Sequence, residues 1–254
     1  MPSTCRLEGK RAIITGAGMG IGRAAALRLA AEGARVGLID IDQVALAETS
    51  ALLEDSAGAL VLVADVSDED RIAAAVSETV SAWGGLDIVV ANAGIELSHE
   101  DDRADRLELS VWQRTMDVNL TGMFLTCKHG IRALLASGGG AVVCTASPTG
   151  LYGRAPGLDA YSASKAGVYG LIRVMATDYA KENIRVNGVL PGYIKTPMTE
   201  WIVGERHASL VADIPLGRAG RPEEVAQVIS YLASDETGFV TGAVWAVDGG
   251  ETAV

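Results

Sequence analysis

The sequence predicts an α/β fold: a single domain, residues 1–254, on a doubly wound sheet of about seven parallel strands with helices on both faces. Short apolar or β-branched runs alternate with longer helical stretches from end to end, a pattern that implies right-handed crossovers and a parallel sheet. A glycine-rich turn stands between the first strand and the first helix. No break in composition divides the 254 residues, and hydrophobic residues make up 49% of them, ample for one large core. Aromatics are only 5%, so that core is rich in Ala, Val, Leu, Ile and Gly, which suits helices packed closely on a sheet.

The first strand, Arg11–Thr15, runs into Thr15-Gly16-Ala17-Gly18-Met19-Gly20-Ile21-Gly22 and then an alanine-rich helix, Gly20–Glu32. Glycines placed there let the backbone turn tightly and approach a pyrophosphate, with the helix amino terminus aimed at its charge. The second strand, Ala34–Ile39, ends at Asp40 and Ile41, about twenty residues beyond the glycines. A carboxylate in that place accepts hydrogen bonds from an adenosine ribose and repels a 2′-phosphate, which favours NAD over NADP. Arg35 begins the strand, at the end away from any such phosphate, and Asp42 reads as the cap of a helix over Gln43–Glu54. A third strand, Ala59–Ala64, leads to Asp65-Val66. Asp65 fits two readings equally, a partner for the adenine edge or a cap for the helix Asp68–Trp83. After the fourth strand, Leu86–Ala91, the small residues Asn92-Ala93-Gly94 let backbone come close to a ribose.

Glu96–Leu109 falls outside the alternation. It mixes Glu100, Asp101, Asp102, Asp105 and Glu108 with Arg103 and Arg106 and reads as a solvated loop. A long helix over Ser110–Ser137, a fifth strand at Ala141–Thr145, a helix over Ala160–Lys181 and a sixth strand at Ile184–Leu190 follow. The segment from about 193 to 220, with Met198, Trp201 and Ile202, reads as a lid, because ligands of such sheets bind beyond the carboxyl ends of the strands. A helix over Pro222–Ala233 and a strand over Ala243–Val247 complete the pattern.

Tyr161 and Lys165, four positions apart, share one face of their helix. A tyrosine hydroxyl loses its proton near pH ~10, too high for a base at neutral pH. A nearby ammonium favours the phenolate, and a pair tuned in this way can pass a proton to or from an alcohol or ketone oxygen.

Composition narrows the function further. A net charge of -11 argues against a nucleic-acid surface or an anionic membrane. Cys5, Cys127 and Cys144 form no CxxC pair and no metal spacing, which fits a reducing cytosol, with Cys127 and Cys144 as buried apolar fillers. His99, His129 and His207 lie in separate segments, His129 and His207 in helices and His99 near the pocket, so no metal site is expected. The amino-terminal residues include no apolar stretch suited to a signal peptide, and nothing approaches the ~20 apolar residues of a membrane span. The expectation is a soluble cytoplasmic protein.

Taken together these residues make the chain similar to the short-chain dehydrogenase/reductase family of the single-domain, Rossmann-like type, over nearly its whole length. The family's T-G-x-x-x-G-x-G appears as Thr15, Gly16, Gly20 and Gly22, and its N-A-G as Asn92, Ala93 and Gly94, with Ala91 where an asparagine usually leads. Asn119 stands in Asp117-Val118-Asn119-Leu120, Ser147 in Thr145-Ala146-Ser147, and Tyr161 with Lys165 forms Y-x-x-x-K. Pro191-Gly192, followed by Ile194 and Thr196, resembles the segment that clasps the nicotinamide carboxamide, and Asp248-Gly249-Gly250 closes the pattern.

The resemblance implies that Tyr161 is the general acid/base and that Lys165 holds the nicotinamide ribose and, with the oxidised ring, lowers the tyrosine pKa. It implies that Ser147 donates a hydrogen bond to the substrate oxygen, and that Asn119 opens its helix to hold a water linking Lys165 to solvent. Pro148, directly after Ser147, departs from the common pattern and fixes the backbone there. Family members are commonly tetramers paired through the fourth and fifth long helices and the last strand. Ala163, Ala166, Gly167 and Gly170 suit such a partner, or equally this chain's own sheet.

By position, Glu96, Leu97, Ser147, Leu151, Tyr152, Leu158, Tyr193, Met198, Trp201 and Ile202 are expected to face the substrate. That wall suits a cyclic or medium-sized secondary alcohol, oxidised reversibly with NAD. The alternative is an NADPH-dependent β-ketoacyl carrier-protein reductase, against which Asp40 and the acidic loop both speak. A cofactor-binding sensor without chemistry is the third reading, and the intact Ser147, Tyr161, Lys165 and Asn119 oppose it.

Overall fold

The structure, a computed structural model, describes residues 5–53, 59–153 and 155–253. Strands β1 (Arg11–Thr15), β2 (Arg35–Asp40), β3 (Leu60–Val63), β4 (Ile88–Ala91), β5 (Gly140–Thr145), β6 (Ile184–Pro191) and β7 (Val244–Val247) form one parallel sheet in the order β3-β2-β1-β4-β5-β6-β7. The chain builds outward from β1 to β3, then crosses back to lay β4 on the other side of β1. The crevice between the carboxyl ends of β1 and β4 is therefore the switch point at which sheets of this kind bind ligands.

Alternation along the central strands feeds two apolar layers. Ile13, Val89 and Val142 pack on one face with α3 (Glu69–Trp83), α5 (Gly122–Ser137) and α6 (Asp159–Asp178). Ile14, Val90 and Val143 pack on the other with α1 (Gly20–Ala31), α2 (Gln43–Ala51) and α8 (Pro222–Ala233). α2 is shorter than the sequence pattern suggested, and Glu54, where that pattern ended, lies outside the described residues. Asp42 caps α2 as expected, accepting from the N–H groups of Val44 and Ala45.

The long helix expected over Ser110–Ser137 is interrupted. α4 (Leu109–Met116) passes through a π turn, Asp117–Thr121, before α5 begins. Asn119 explains the widening: its Oδ1 accepts from the Ile95 N–H at 2.7 Å and its Nδ2 donates to the Ile95 carbonyl at 2.9 Å. A side chain bound edge-on to a neighbouring backbone holds the helix open at that turn. The segment after β6 has its own structure, a 3₁₀ turn (Pro197–Thr199) and a short helix, α7 (Gly204–Ala212). Among the described residues no helix is long and apolar enough to cross a membrane.

Candidate active site

A polar belt ties the carboxyl ends of β1, β4 and β5 together. Thr15 Oγ1 accepts from the N–H groups of Asn92 at 3.0 Å and Ala93 at 3.2 Å, and Asn92 Nδ2 donates to the Thr15 carbonyl at 3.1 Å. Thr145 Oγ1 donates to Asn92 Oδ1 at 3.0 Å, and Lys165 Nζ donates to the Thr145 carbonyl, also at 3.0 Å. Lys165 is thereby fixed while only 3% exposed. Its Nζ lies 5.7 Å from the centre of the Tyr161 ring and faces Gly94, where a Cβ would come within 3.5 Å. Asn119 is fully buried behind this group, with Nδ2 also donating to Ser164 Oγ at 3.1 Å.

Tyr161 lies in the first turn of α6, and that turn is held from outside the helix. Leu158, at the cap position, offers no side-chain acceptor. Asp101 takes its place, with Oδ1 accepting from the Ala160 N–H at 3.1 Å and Oδ2 from the Tyr161 N–H at 3.0 Å. The stretch that reads as a solvated loop thus supplies a carboxylate only 8% exposed at the start of the helix that carries Tyr161. Ser147 stands opposite, at the start of a 3₁₀ turn (Pro148–Gly150) in which Pro148 takes the first position and Ser147 Oγ accepts from the Thr149 N–H. The hydroxyl stays on the cavity wall, and the Ser147 carbonyl accepts from Tyr169 Oη at 3.2 Å.

Burial pushes the Tyr161 phenol well above its ordinary value, the charge of Glu96 adds to this, and its hydrogen bond with Ser147 pulls it back. Burial pushes Lys165 down, to about 8, against the opposing pull of Glu96. The protein alone therefore does not lower the tyrosine pKa as the lysine was expected to do. Burial and the Glu96 charge both oppose the phenolate, which a positive charge brought beside the phenol would favour. Glu96 is itself shifted up by burial, while Ser98 Oγ, donating at 2.6 Å, pulls it back.

A cavity of about 550 Å³ runs from this group past the glycine-rich turn to Asp40. The turn is built for close approach. Gly16 has φ +68°, and a Cβ on Gly22 would stand 1.9 Å from the Gly16 carbonyl oxygen. α1 begins at this turn without a side-chain cap and without an acidic residue in its first turn, whereas Asp42 caps α2 and Asp68 caps α3. Backbone donors left open at the amino end of α1 suit an anionic group. Gly16, Met19, Gly20, Ile21, Asp40, Ile41, Asp65 and Val66 line this end. Asn92, Ala93, Gly94, Pro191, Gly192, Ile194 and Thr196 line the middle.

Gly18 and Gly22 do not reach the cavity. Gly18 lies beneath it, its N–H donating to Asp40 Oδ2 at 2.9 Å, and Gly22 packs against Gly16. Of the two readings of Asp65, the cap of α3 belongs to Asp68. Asp65 instead accepts from the N–H of Ser67 at 2.9 Å and from its hydroxyl at 2.7 Å, and lines the cavity. These features fit a dinucleotide: a carboxylate and an anion cradle towards one end and small residues in the middle. When bound, the nicotinamide supplies the hydride donor or acceptor and, oxidised, the positive charge that the phenol lacks.

At the other end Glu96, Ser147, Leu158, Tyr193, Met198, Trp201 and Ile202 line the wall as expected, and Ile95, Pro148, Pro156, Arg206 and Leu210 join them. The segment after β6 supplies several of these, and Thr196 near its start faces Gly20 of the cradle. Leu97, Leu151 and Tyr152 are placed outside the wall. The Pro148 carbonyl accepts from both the Leu151 and Tyr152 N–H groups at 2.9 Å, a tight turn that leaves the two side chains about half exposed. The Leu97 carbonyl closes a turn onto the Glu100 and Asp101 N–H groups at 2.7 Å, carrying the chain away from the cavity. His99 packs edge-on against Trp201 at 5.5 Å, one layer behind the wall.

A family model described as enoyl-(acyl carrier protein) reductase matches residues 16–252. A cis-4-hydroxycyclohexanecarboxylate dehydrogenase of Sinomonas cyclohexanicum is 43% identical, covering 96% of each chain. The 3-oxoacyl-(acyl-carrier-protein) reductase FabG of Thermotoga maritima is 42% identical over 96% of this chain and 98% of its own. A cyclohexanol dehydrogenase of Acinetobacter sp. strain SE19 is 41% identical, over 97% and 96%. Among solved structures, a short-chain type dehydrogenase/reductase from Mycobacterium marinum superposes with a TM-score of 0.91 at 38% identity, covering 99% of both chains. The chain belongs to the short-chain dehydrogenase/reductase family, oxidoreductases that act on alcohol and carbonyl groups with a nicotinamide cofactor.

Proposed function

We propose that this protein is an NAD-dependent dehydrogenase of secondary alcohols carried on a ring or on a molecule of similar size, working reversibly with the ketone. One observation carries the reading: Ser147, Tyr161 and Lys165 meet at one end of a cavity that has Asp40 at the other. Ser147 Oγ donates to the substrate oxygen and steadies the charge that grows on it. Tyr161 Oη, protonated in its buried setting, gives its proton to a ketone oxygen during reduction and takes the hydroxyl proton during oxidation. Lys165, held by the Thr145 carbonyl, positions the nicotinamide ribose, and Asn119 keeps the π turn open for a water between Lys165 and solvent.

NAD is favoured because Asp40 and Asp65 line the adenosine end, where no lysine or arginine does so among the described residues. A 2′-phosphate would meet negative charge there. The ring alcohol is supported by the apolar wall of Ile95, Leu158, Met198, Trp201 and Ile202 and by two relatives named for cyclohexane alcohols. The carrier-protein reductase named among the relatives keeps a second reading open, NADPH-dependent reduction of a 3-oxoacyl thioester.

We also assign a homotetramer. Gly167 packs on this chain's own Leu120, whereas Ala166 and Gly170 are exposed on α6 and Phe239 and Trp245 are exposed near β7. The cytosol is the proposed setting, since Cys127 and Cys144 stand as thiols with sulfurs 3.9 Å apart.

The test is the rate of NADH formation from cyclohexanol and related ring alcohols by the wild type and Tyr161→Phe. The wild type oxidises them, and the variant binds NADH but turns nothing over. Substantial activity in the variant removes Tyr161 from the acid/base role. Inactivity of the wild type on every ring alcohol, with turnover of acetoacetyl thioesters and NADPH, favours the second reading.

A further inference from the structure

Arg206 is a charged residue of the cavity that the mechanism leaves without a task. It lies on α7, exposed at the mouth, with its guanidinium carbon 4.2 Å over the Trp201 ring. Among the described residues it makes no ion pair or hydrogen bond. Lys165, the other cation of the wall among the described residues, is committed to the Thr145 carbonyl.

Arg206 belongs to the substrate end and not to the adenosine end. Its charge is felt by Glu96, which follows β4 and also acts on Tyr161. Its stacking partner Trp201 packs against His99, on the same loop as Glu96. The wall around it is apolar, formed by Ile95, Met198, Ile202 and Leu210. A guanidinium lying on an indole face keeps its N–H edge in plane and available for two parallel hydrogen bonds to a carboxylate. The chain as a whole carries a charge of -11, so an anionic substrate meets general repulsion, and a fixed cation beside the wall is what singles it out.

We propose that Arg206 binds a carboxylate on the substrate, away from the carbinol carbon, and that the preferred substrates are hydroxy acids of the alicyclic class. The inference rests on the dehydrogenase reading, and its test separates the two. Initial rates with NAD are compared for a hydroxycyclohexanecarboxylate and its neutral carboxamide, on the wild type and on Arg206→Gln. The wild type favours the acid by about 10- to 100-fold in kcat/KM, mostly through KM, as expected for charge-assisted hydrogen bonds. Arg206→Gln brings the acid down to the level of the amide. Added salt erodes the wild-type preference, an independent readout that needs no variant.

A wild type that handles acid and amide alike, or a variant that keeps the preference, overturns the proposal while the dehydrogenase reading stands. No turnover of either compound overturns the carboxylate assignment, and the dehydrogenase reading falls with it only when the wild type is inactive on every other ring alcohol as well. Dependence on Arg206 seen only with a phosphate-bearing acyl-CoA thioester overturns the carboxylate assignment.

Discussion

Asp101 offers a direct test of how the site is held together. Asp101→Ala removes both acceptors from the first turn of α6, leaving the N–H groups of the fully buried Ala160 and of Tyr161 without them. Hydrogen bonds to a charged acceptor are worth about 1.5–3 kcal/mol each, and losing a helix cap costs about 0.5–2 kcal/mol. The two bonds share one carboxylate and one cap, so the expected loss is about 2–3 kcal/mol. At about 2–4 °C per kcal/mol for a chain of this size, the melting temperature falls by about 4–12 °C. Activity falls more steeply, because Tyr161 sits in the loosened turn and a misplacement of about 1 Å can cost about 100-fold. Asp101→Asn keeps one acceptor oxygen and lies between the two. Thermal denaturation followed by circular dichroism, with kcat, KM and the Kd for NADH, reads all of this. The cofactor Kd stays near that of the wild type, since the glycine cradle lies on another element and Lys165, one turn further along α6, is held by the Thr145 carbonyl. An Asp101→Ala protein with the wild-type melting temperature and kcat refutes the idea that this carboxylate holds Tyr161 in place.

Two further predictions follow from the same geometry. The charge on Glu96 raises the Tyr161 pKa, so Glu96→Gln makes the phenolate easier to form and moves the acidic limb of the kcat/KM profile for alcohol oxidation to lower pH. A shift to higher pH contradicts this. Gly22→Ala places a Cβ 1.9 Å from a backbone oxygen that cannot yield without moving the cradle, so NADH binding by fluorescence titration weakens at least ~10-fold. Unchanged affinity would mean that the turn does not carry the pyrophosphate.

What the sequence disclosed was local or periodic. Strand alternation, the glycine turn at a strand-to-helix junction and a tyrosine one helical turn before a lysine are patterns of neighbours, and each falls where expected. What it concealed depends on contacts between distant segments. Asp101 and the α6 amides it accepts from are 59 and 60 positions apart, and Asp101 stands among other acidic residues that are exposed, so composition alone reads it as solvated. Leu151 and Tyr152 lie between two site residues in sequence, but the turn after Pro148 sends their side chains outward. Arg206 carried no motif at all. Its place in the cavity follows from where α7 is laid, and in sequence a lone arginine there looks like any surface arginine. The direction of the Tyr161 pKa in the protein alone was hidden for a related reason: the spacing of Tyr161 and Lys165 is visible in sequence, whereas the burial that raises the phenol is a property of the packed site.

The most direct measurement is kcat/KM for oxidation of one ring alcohol with NAD and with NADP, on the wild type and on Asp40→Ala. An NAD-dependent alcohol dehydrogenase gives turnover by the wild type with NAD strongly preferred, and a gain in NADP use when the carboxylate is removed. No oxidation with either cofactor, or a wild type that uses NADP as well as or better than NAD, contradicts it.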